Sequence, residues 1–398
     1  MKSLNINIAA YFLPLFCAFA FLSSPVFTAE TCEYPALFNF GDSNSDTGSM
    51  SAAFASKLPP NGDAFFGRPS GRVSNGRLVI DFLAESLGKP FLHSYLDSMA
   101  ANFSHGASFS TSGSTITPPK YLIPVYFVPH GWSPFPLYVQ FVQFTQFKDR
   151  SEMIYNQDPN FKYTVPKKEH FSKALYTIDI GQNDIGMGLF TNNSIEAVKA
   201  SVPNMMEGLK SHIKGIYSLG ARTFWIHNTG PIGCLPYILT NFPVSDKDTD
   251  SAGCSIPHNE ISKHYNYKLK EAVYELRREL PSSAITLVDI YSVKYSIYKE
   301  AKSLGFKEPL KACCGYGGKY NYGDNFTCFG IETSKTINGK KIALKSCENP
   351  RERISWDGIH YSEAADKIVF DRISTGAFSD PPNTPPSMAC HQRSSSKN

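Results

Sequence analysis

The sequence predicts an α/β fold, with one parallel sheet covered by helices on both faces. Two observations predict it. Apolar runs of strand length alternate with amphipathic stretches of helix length. That β-then-α order belongs to parallel sheets, whose strands need crossover helices. At 398 residues the chain is long for one domain but within the range of an α/β enzyme.

The elements follow in order. Pro35 to Phe40 reads as the first strand, a short apolar run stopped by Gly41. Arg77 to Leu87 reads as a helix, because Leu78, Phe82 and Leu83 share one face. Tyr138, Phe141, Val142, Phe144 and Phe147 recur at helical spacing. Ala174 to Ile180 reads as a strand and Ser194 to Leu219 as a helix. Arg222 to His227 is a strand, ended by Gly230-Pro231. Glu260 to Leu280 is helical, Ala284 to Ile290 a strand, and Glu363 to Ile373 the last helix. No repeat or low-complexity linker divides the chain, so residues 30–378 are expected to form a single domain. Residues 379–398, with Pro381-Pro382 and Ser394-Ser395-Ser396, read as a loose tail. Pro118 to Pro136 and Cys313 to Asn349 read as insertions of the kind that border substrate sites.

Residues 1–29 read as a signal peptide. Lys2 supplies a positive start, Ile8 to Leu22 an apolar stretch, and Thr28-Ala29 a cleavable end. A membrane anchor is the competing reading, but the run is short and Ser23-Ser24-Pro25 interrupts it. The expected destination is the extracellular space or the vacuole, with no stable membrane span. Cys17 leaves with the signal, and Cys32, Cys234, Cys254, Cys313, Cys314, Cys328, Cys347 and Cys390 remain. An even set in a secreted chain points to disulfides. The favoured pairs are Cys234 with Cys254 and Cys32 with Cys390, plus local bridges among Cys313, Cys314, Cys328 and Cys347. No Cys-x-x-Cys pair supports a zinc site. Three sequons, at Asn102, Asn192 and Asn325, fit the same route.

Hydrophobic content of 42% and charged content of 19% fit a globular core. The net charge of +4 is spread without a basic stripe, which argues against a nucleic-acid partner. The 29 Phe and 21 Tyr fit core packing, or an aromatic-lined acyl or ring pocket.

Three clusters carry chemistry. In Phe40-Gly41-Asp42-Ser43-Asn44, a serine follows the first strand across a tight turn. Taken alone, Gly-Asp-Ser fits a helix cap as well as a nucleophile. In Trp356-Asp357-Gly358-Ile359-His360, Asp357 can accept the Nδ1 proton and leave Nε2 free to take the Ser43 proton. Gly181-Gln182-Asn183-Asp184 follows the strand ending at Ile180, so Asn183 can aim its amide at a developing oxyanion. Backbone N–H groups of Ser43 and Gly113 would complete that donor set. Ser43 and Asn183 both follow strand carboxyl ends, the edge where open α/β sheets bind ligands.

Together these blocks resemble the GDSL lipase/esterase family of the SGNH hydrolase superfamily, in its plant-type branch. Phe40 to Ser43, the glycine block from Gly106 to Gly113, Gly181 to Asp184 and Trp356 to Tyr361 match in order. Phe224 to Cys234 and Ala312 to Gly315 look like the same branch. The resemblance implies a three-layer α/β/α fold similar to flavodoxin. It implies Ser43 as nucleophile, His360 as base, Asp357 as its orienter, and Ser43, Gly113 and Asn183 as the oxyanion hole. Asn44 stands where the family name has leucine, a position that varies among members.

The expected activity is hydrolysis of a carboxylic ester (acetyl, acyl or phenolic) through an acyl-enzyme, with no metal or organic cofactor. The partners are a small-molecule or polysaccharide ester and, in the alternative reading, an alcohol acceptor. That alternative is an acyltransferase with the same triad, passing for example a hydroxycinnamoyl group to an alcohol. A catalytically silent glycoprotein is a third reading, which the intact Ser43, Asp357 and His360 set opposes. A glycosidase would need two carboxylates across a sugar bond, and the sequence singles out no such pair.

Overall fold

A computed structural model describes residues 31–54, 56–119, 133–191, 193–323, 326–330 and 332–391. The signal-peptide reading, the sequon asparagines Asn192 and Asn325, and most of the Pro118 to Pro136 insertion lie outside the described residues. The strands are β1 (Leu37–Gly41), β2 (Gly106–Ser108), β3 (Leu175–Asp179), β4 (Thr223–His227), β5 (Ala284–Val288), β6 (Ser334–Ile337), β7 (Lys340–Ala343) and β8 (Ser379–Asp380). The helices are α1 (Ser49–Ala53), α2 (Val79–Ser86), α3 (Leu137–Gln157), α4 (His170–Lys173), α5 (Gln182–Phe190), α6 (Ile195–Ser218), α7 (Pro236–Asn241), α8 (Ile256–Glu279), α9 (Ile290–Lys299) and α10 (Glu363–Ile373).

The main sheet runs β2-β1-β3-β4-β5-β8. Its first five strands are parallel, and β8 closes the edge antiparallel to β5. Side chains alternate through the sheet. Phe38 and Phe40 of β1, Tyr176 and Ile178 of β3, and Phe224 and Ile226 of β4 enter one core with α3, α5, α6 and α8. Leu37, Leu175 and Trp225 enter the other with α2, α9 and α10. Each strand therefore feeds two helical layers, giving a three-layer α/β/α sandwich. Strand order reverses between β1 and β3, with β2 on the outer side of β1. That reversal opens a crevice at the carboxyl ends of β1 and β3.

The phenylalanines pack the core more than they line a pocket. Phe38 lies 5.4 Å from Phe144 and 5.2 Å from Phe171, and Phe40 lies 5.3 Å from Phe109, ring centre to ring centre. Both favoured cysteine pairs form, Cys32–Cys390 and Cys234–Cys254. The other four cysteines bridge locally, as Cys313–Cys347 and Cys314–Cys328. The tail is not loose as far as His391. Ser379 and Asp380 pair with Val288 and Leu287, and Cys390 is bonded to Cys32. The second insertion holds a hairpin, β6 and β7, turned by Asn338 and Gly339 at positive φ. Among the described residues, no helix is long and apolar enough to cross a membrane.

Candidate active site

Gly41 ends β1 at φ +150°, and a Cβ there would lie 2.2 Å from the Asp179 carbonyl oxygen. Only glycine lets the chain leave the strand so close to β3. Gln140 of α3 grips the turn from the other side: its Oε1 accepts from the Gly41 N–H at 2.9 Å and its Nε2 donates to the Gly41 carbonyl at 2.8 Å. Asn39, buried in β1, donates to the Ser45 carbonyl at 3.0 Å and to the Ser108 and Ser110 hydroxyls at 2.9 Å each. Asp46 accepts from the N–H groups of Gly48, Ser49, Met50 and Ser112 and from the Ser112 hydroxyl. The loop that carries Ser43 is thus fastened to β1, α3 and the loop after β2 before any substrate arrives.

Asp357 and His360 meet across a tight turn rather than along a helix. Gly358 has φ +99°, and a Cβ there would lie 2.1 Å from a Tyr322 ring carbon. The Trp356 N–H closes the turn on the His360 carbonyl at 2.7 Å. α10 starts only at Glu363, capped by Ser362, whose hydroxyl accepts from the Ala365 N–H. Asp357 Oδ1 accepts from the Ile359 and His360 N–H groups at 2.9 Å each, and Oδ2 lies 2.7 Å from His360 Nδ1. His360 Nε2 lies 2.7 Å from Ser43 Oγ. Ser43 and His360 are each 4% exposed and Asp357 is fully buried, so water weakens none of these contacts. Burial alone would push the Asp357 carboxyl up. The His360 ring, by charge and hydrogen bond, together with the two N–H donors, holds it below the usual carboxylate range. An ionised Asp357 can only accept, so Nδ1 carries the ring proton and Nε2 is left to take the Ser43 hydrogen.

Asn183 lies in the first turn of α5 and bridges the two loops. Its Nδ2 donates to Asp42 Oδ2 at 3.1 Å and to the Ser114 carbonyl at 3.0 Å. Its neighbours in space are therefore the residue before Ser43 and the residue after Gly113. Gly113 has φ +78°. Among the described residues neither the Ser43 nor the Gly113 N–H has a hydrogen-bond partner. An entering substrate oxygen would compete with the Ser114 carbonyl for one Asn183 hydrogen.

The model of the GDSL-like lipase/acylhydrolase family matches residues 37–373. The chain belongs to the GDSL lipase/acylhydrolase family. An esterase of Hevea brasiliensis is 53% identical, over 94% of this chain and 93% of that protein. A GDSL esterase/lipase of Arabidopsis thaliana is 51% identical, over 93% of this chain and 95% of its own length. A protein named alpha-L-fucosidase 3, also of Arabidopsis thaliana, is 49% identical over 89% of this chain and 93% of its length.

In this GDSL family member Ser43, Asp357 and His360 form one hydrogen-bonded line at the carboxyl end of β1, and Asn183 bridges the neighbours of Ser43 and Gly113. Sequence reasoning missed the groups that hold them. Asp184 of α5 accepts from the Ile116 N–H at 2.9 Å and the Thr117 N–H at 3.1 Å, which ties the Gly113 loop to α5. Asp42 accepts from both the backbone and the side chain of Asn44 at 2.9 Å as well as from Asn183. Burial, then the charge of Asp179, push the Asp42 carboxyl up to about 8 against those hydrogen bonds. The only signal for Asp46 and Asp184 was an acid beside apolar or small residues, which does not say what it holds; Gln140 left none beyond a polar residue on an apolar helix face.

Proposed function

We propose that the protein is a serine ester hydrolase working through an acyl-enzyme at Ser43. The observation that carries this reading is the continuous line from Ser43 Oγ to His360 Nε2, and from His360 Nδ1 to Asp357, at 2.7 Å in each step. Ser43 attacks the ester carbonyl carbon as its proton passes to His360. The carbonyl oxygen gains charge against the N–H groups of Ser43 and Gly113 and the Asn183 amide. The alkoxide leaves with the proton from His360. Water then enters, His360 removes its proton, and the acyl group departs as a free acid. Membership of a family whose relatives are named esterases and lipases supports the same chemistry. A secreted, glycosylated form goes with it: four disulfides suit an oxidising compartment, and the Asn102 sequon is exposed.

The test is hydrolysis of a panel of 4-nitrophenyl and phenolic esters, with Ser43→Ala as the blank. Wild-type turnover with a Ser43→Ala rate at background supports the reading; more than a hundredth of the wild-type rate in the variant sinks it. Adding candidate alcohols separates hydrolysis from transfer: free acid as the product at high acceptor supports the hydrolase, and ester of the added alcohol supports the transferase.

A further inference from the structure

Lys57 is a buried cation outside the proton path. It follows α1 at 3% exposure, and its Nζ donates to the Phe329 carbonyl at 2.6 Å. The same Nζ lies 4.5 Å from the Phe329 ring centre, and that ring lies 5.4 Å from the His360 ring. Those two separations bound the distance, so the ammonium is within about 10 Å of the imidazole. The contact is fastened on either side. Asn61 Nδ2 donates to the Cys328 carbonyl at 3.1 Å, and Trp356 Nε1, one residue before Asp357, donates to Asn61 Oδ1 at 2.9 Å. Cys328 is in turn bonded to Cys314.

Burial pushes the Lys57 ammonium from its ordinary 10.5 down to about 8, against the charges of Asp357 and Asp46. It is therefore charged at acid and neutral pH. Asp357 faces it from the turn before α10, and Asp46 from the loop that carries Ser43. Arg68, Arg72, His93 and Asp97 share a cavity lining with Lys57, and Arg72 is tied to Asp81. Tyr237 and Tyr322, packed on the catalytic turn at Gly358, are kept neutral by burial. Asp357 favours a charged His360 ring, and the Lys57 cation offsets part of that pull. A second positive charge beside a fixed, buried one is opposed, and salt screens it little. A general base must be free of its proton to accept one, so a neighbour that resists charging of the free ring extends its working range toward acid.

We propose that Lys57 is a positioning residue for the base: it holds Phe329 against the His360 ring, and its charge keeps that ring free to accept the Ser43 proton in mildly acidic solution. The inference rests on the serine-hydrolase reading and adds a residue and a pH range to it. At about 10 Å and an effective dielectric constant of about 20, one unit charge moves a neighbour's titration by about one pH unit.

The test is the pH dependence of kcat/KM for 4-nitrophenyl acetate in the full-length protein and in its Lys57→Gln and Lys57→Met variants. Glutamine can still donate to the Phe329 carbonyl but carries no charge; methionine removes both. An unfolded fraction lowers the height of the profile and leaves its midpoint in place. The expected result is an acid limb displaced by about one pH unit toward alkali in both variants. Histidine NMR in the Ser43→Ala background, with the His360 signal assigned by its loss in His360→Gln, should show the same displacement on adding Lys57→Gln. That titration needs no turnover, so its outcome stands apart from that of the Ser43 chemistry. A His360 titration unmoved by Lys57→Gln, or moved toward acid, overturns the proposal. So does an acid limb displaced in Lys57→Met alone, which would assign the effect to lost packing.

Discussion

Replacing Asp357 by Asn tests the electrostatic half of the site with almost no change of shape. Oδ1 of Asp357 receives two backbone N–H groups, from Ile359 and His360. An amide nitrogen in that place would face both hydrogens. The asparagine must therefore keep its oxygen there and turn its NH₂ toward His360 Nδ1. Nδ1 then accepts, the ring proton moves to Nε2, and Nε2 points a hydrogen at Ser43 Oγ instead of a lone pair. The base is in position but carries the wrong tautomer. The same acid-to-amide change in chymotrypsin-type triads costs about 10⁴ in kcat, equal to about 5.5 kcal/mol of barrier. The assay is kcat for 4-nitrophenyl acetate at neutral pH, with a thermal melt to show that the variant is folded. The buried Lys57 ammonium loses the charge of Asp357 but keeps that of Asp46, so the melt should fall modestly while the variant stays folded. A folded Asp357→Asn enzyme within tenfold of wild-type kcat would refute the tautomer argument and the role of Asp357.

Three further outcomes follow from the same geometry. With Asn183 as the proposed oxyanion donor, Asn183→Ala should lower kcat by about 10²–10³ with little change in KM; a change confined to KM would move Asn183 from the oxyanion to ground-state binding. Gly41→Ala forces a Cβ to 2.2 Å from the Asp179 carbonyl at φ +150°, so it should lower the melting temperature and kcat together, and a wild-type melt would contradict the contact. Burial pushes the Asp366 carboxyl from its ordinary 3.8 to about 8, against the charge of Lys294. In that window the folded chain holds a proton that the unfolded chain has released, so stability is present at acid pH and lost as pH rises through about 8. Asp366→Asn should flatten the fall in melting temperature between those pH values, and an unaltered slope would show that Asp366 is already ionised in the fold.

How much could be read from the chain depended on whether a residue's role was local. α6 was legible end to end because Ser194 caps it, its hydroxyl accepting from the Ala197 N–H, and its apolar positions keep helical spacing. α10 was placed residue for residue for the same reason. α8 starts at Ile256, ahead of the expected Glu260, because Pro257 opens its first turn, where a missing N–H costs nothing. α5 went unread: it begins inside the asparagine block, and Gly186 and Gly188 weaken its helical pattern. β2, three residues of Gly-Ala-Ser, carries too little apolar surface to announce a strand and exists because β1 pairs with it. The β6–β7 hairpin did carry a signal, Asn338-Gly339 between short runs, which the cysteine-rich context obscured. β8 and the clamp of Gln140 on Gly41 depend on partners about a hundred residues away, and no local pattern encodes them.

The site divides in the same way. Ser43, Asp357, His360 and Asn183 were legible because each chemistry needs a particular residue type at a strand end or in a tight turn. The residues that aim them are ordinary buried polar groups. Asn39, Asp46, Gln140 and Asp184 act only through hydrogen bonds made by the finished fold.

The most direct measurement is peptide mapping by mass spectrometry after the protein reacts with a fluorophosphonate, and after rapid acid quenching during turnover of a slow phenolic ester. One adduct on Ser43, absent in Ser43→Ala and strongly slowed in His360→Ala, is the predicted result. Steady ester hydrolysis with Ser43 unmodified, or with the adduct on another residue, would contradict covalent catalysis by this serine.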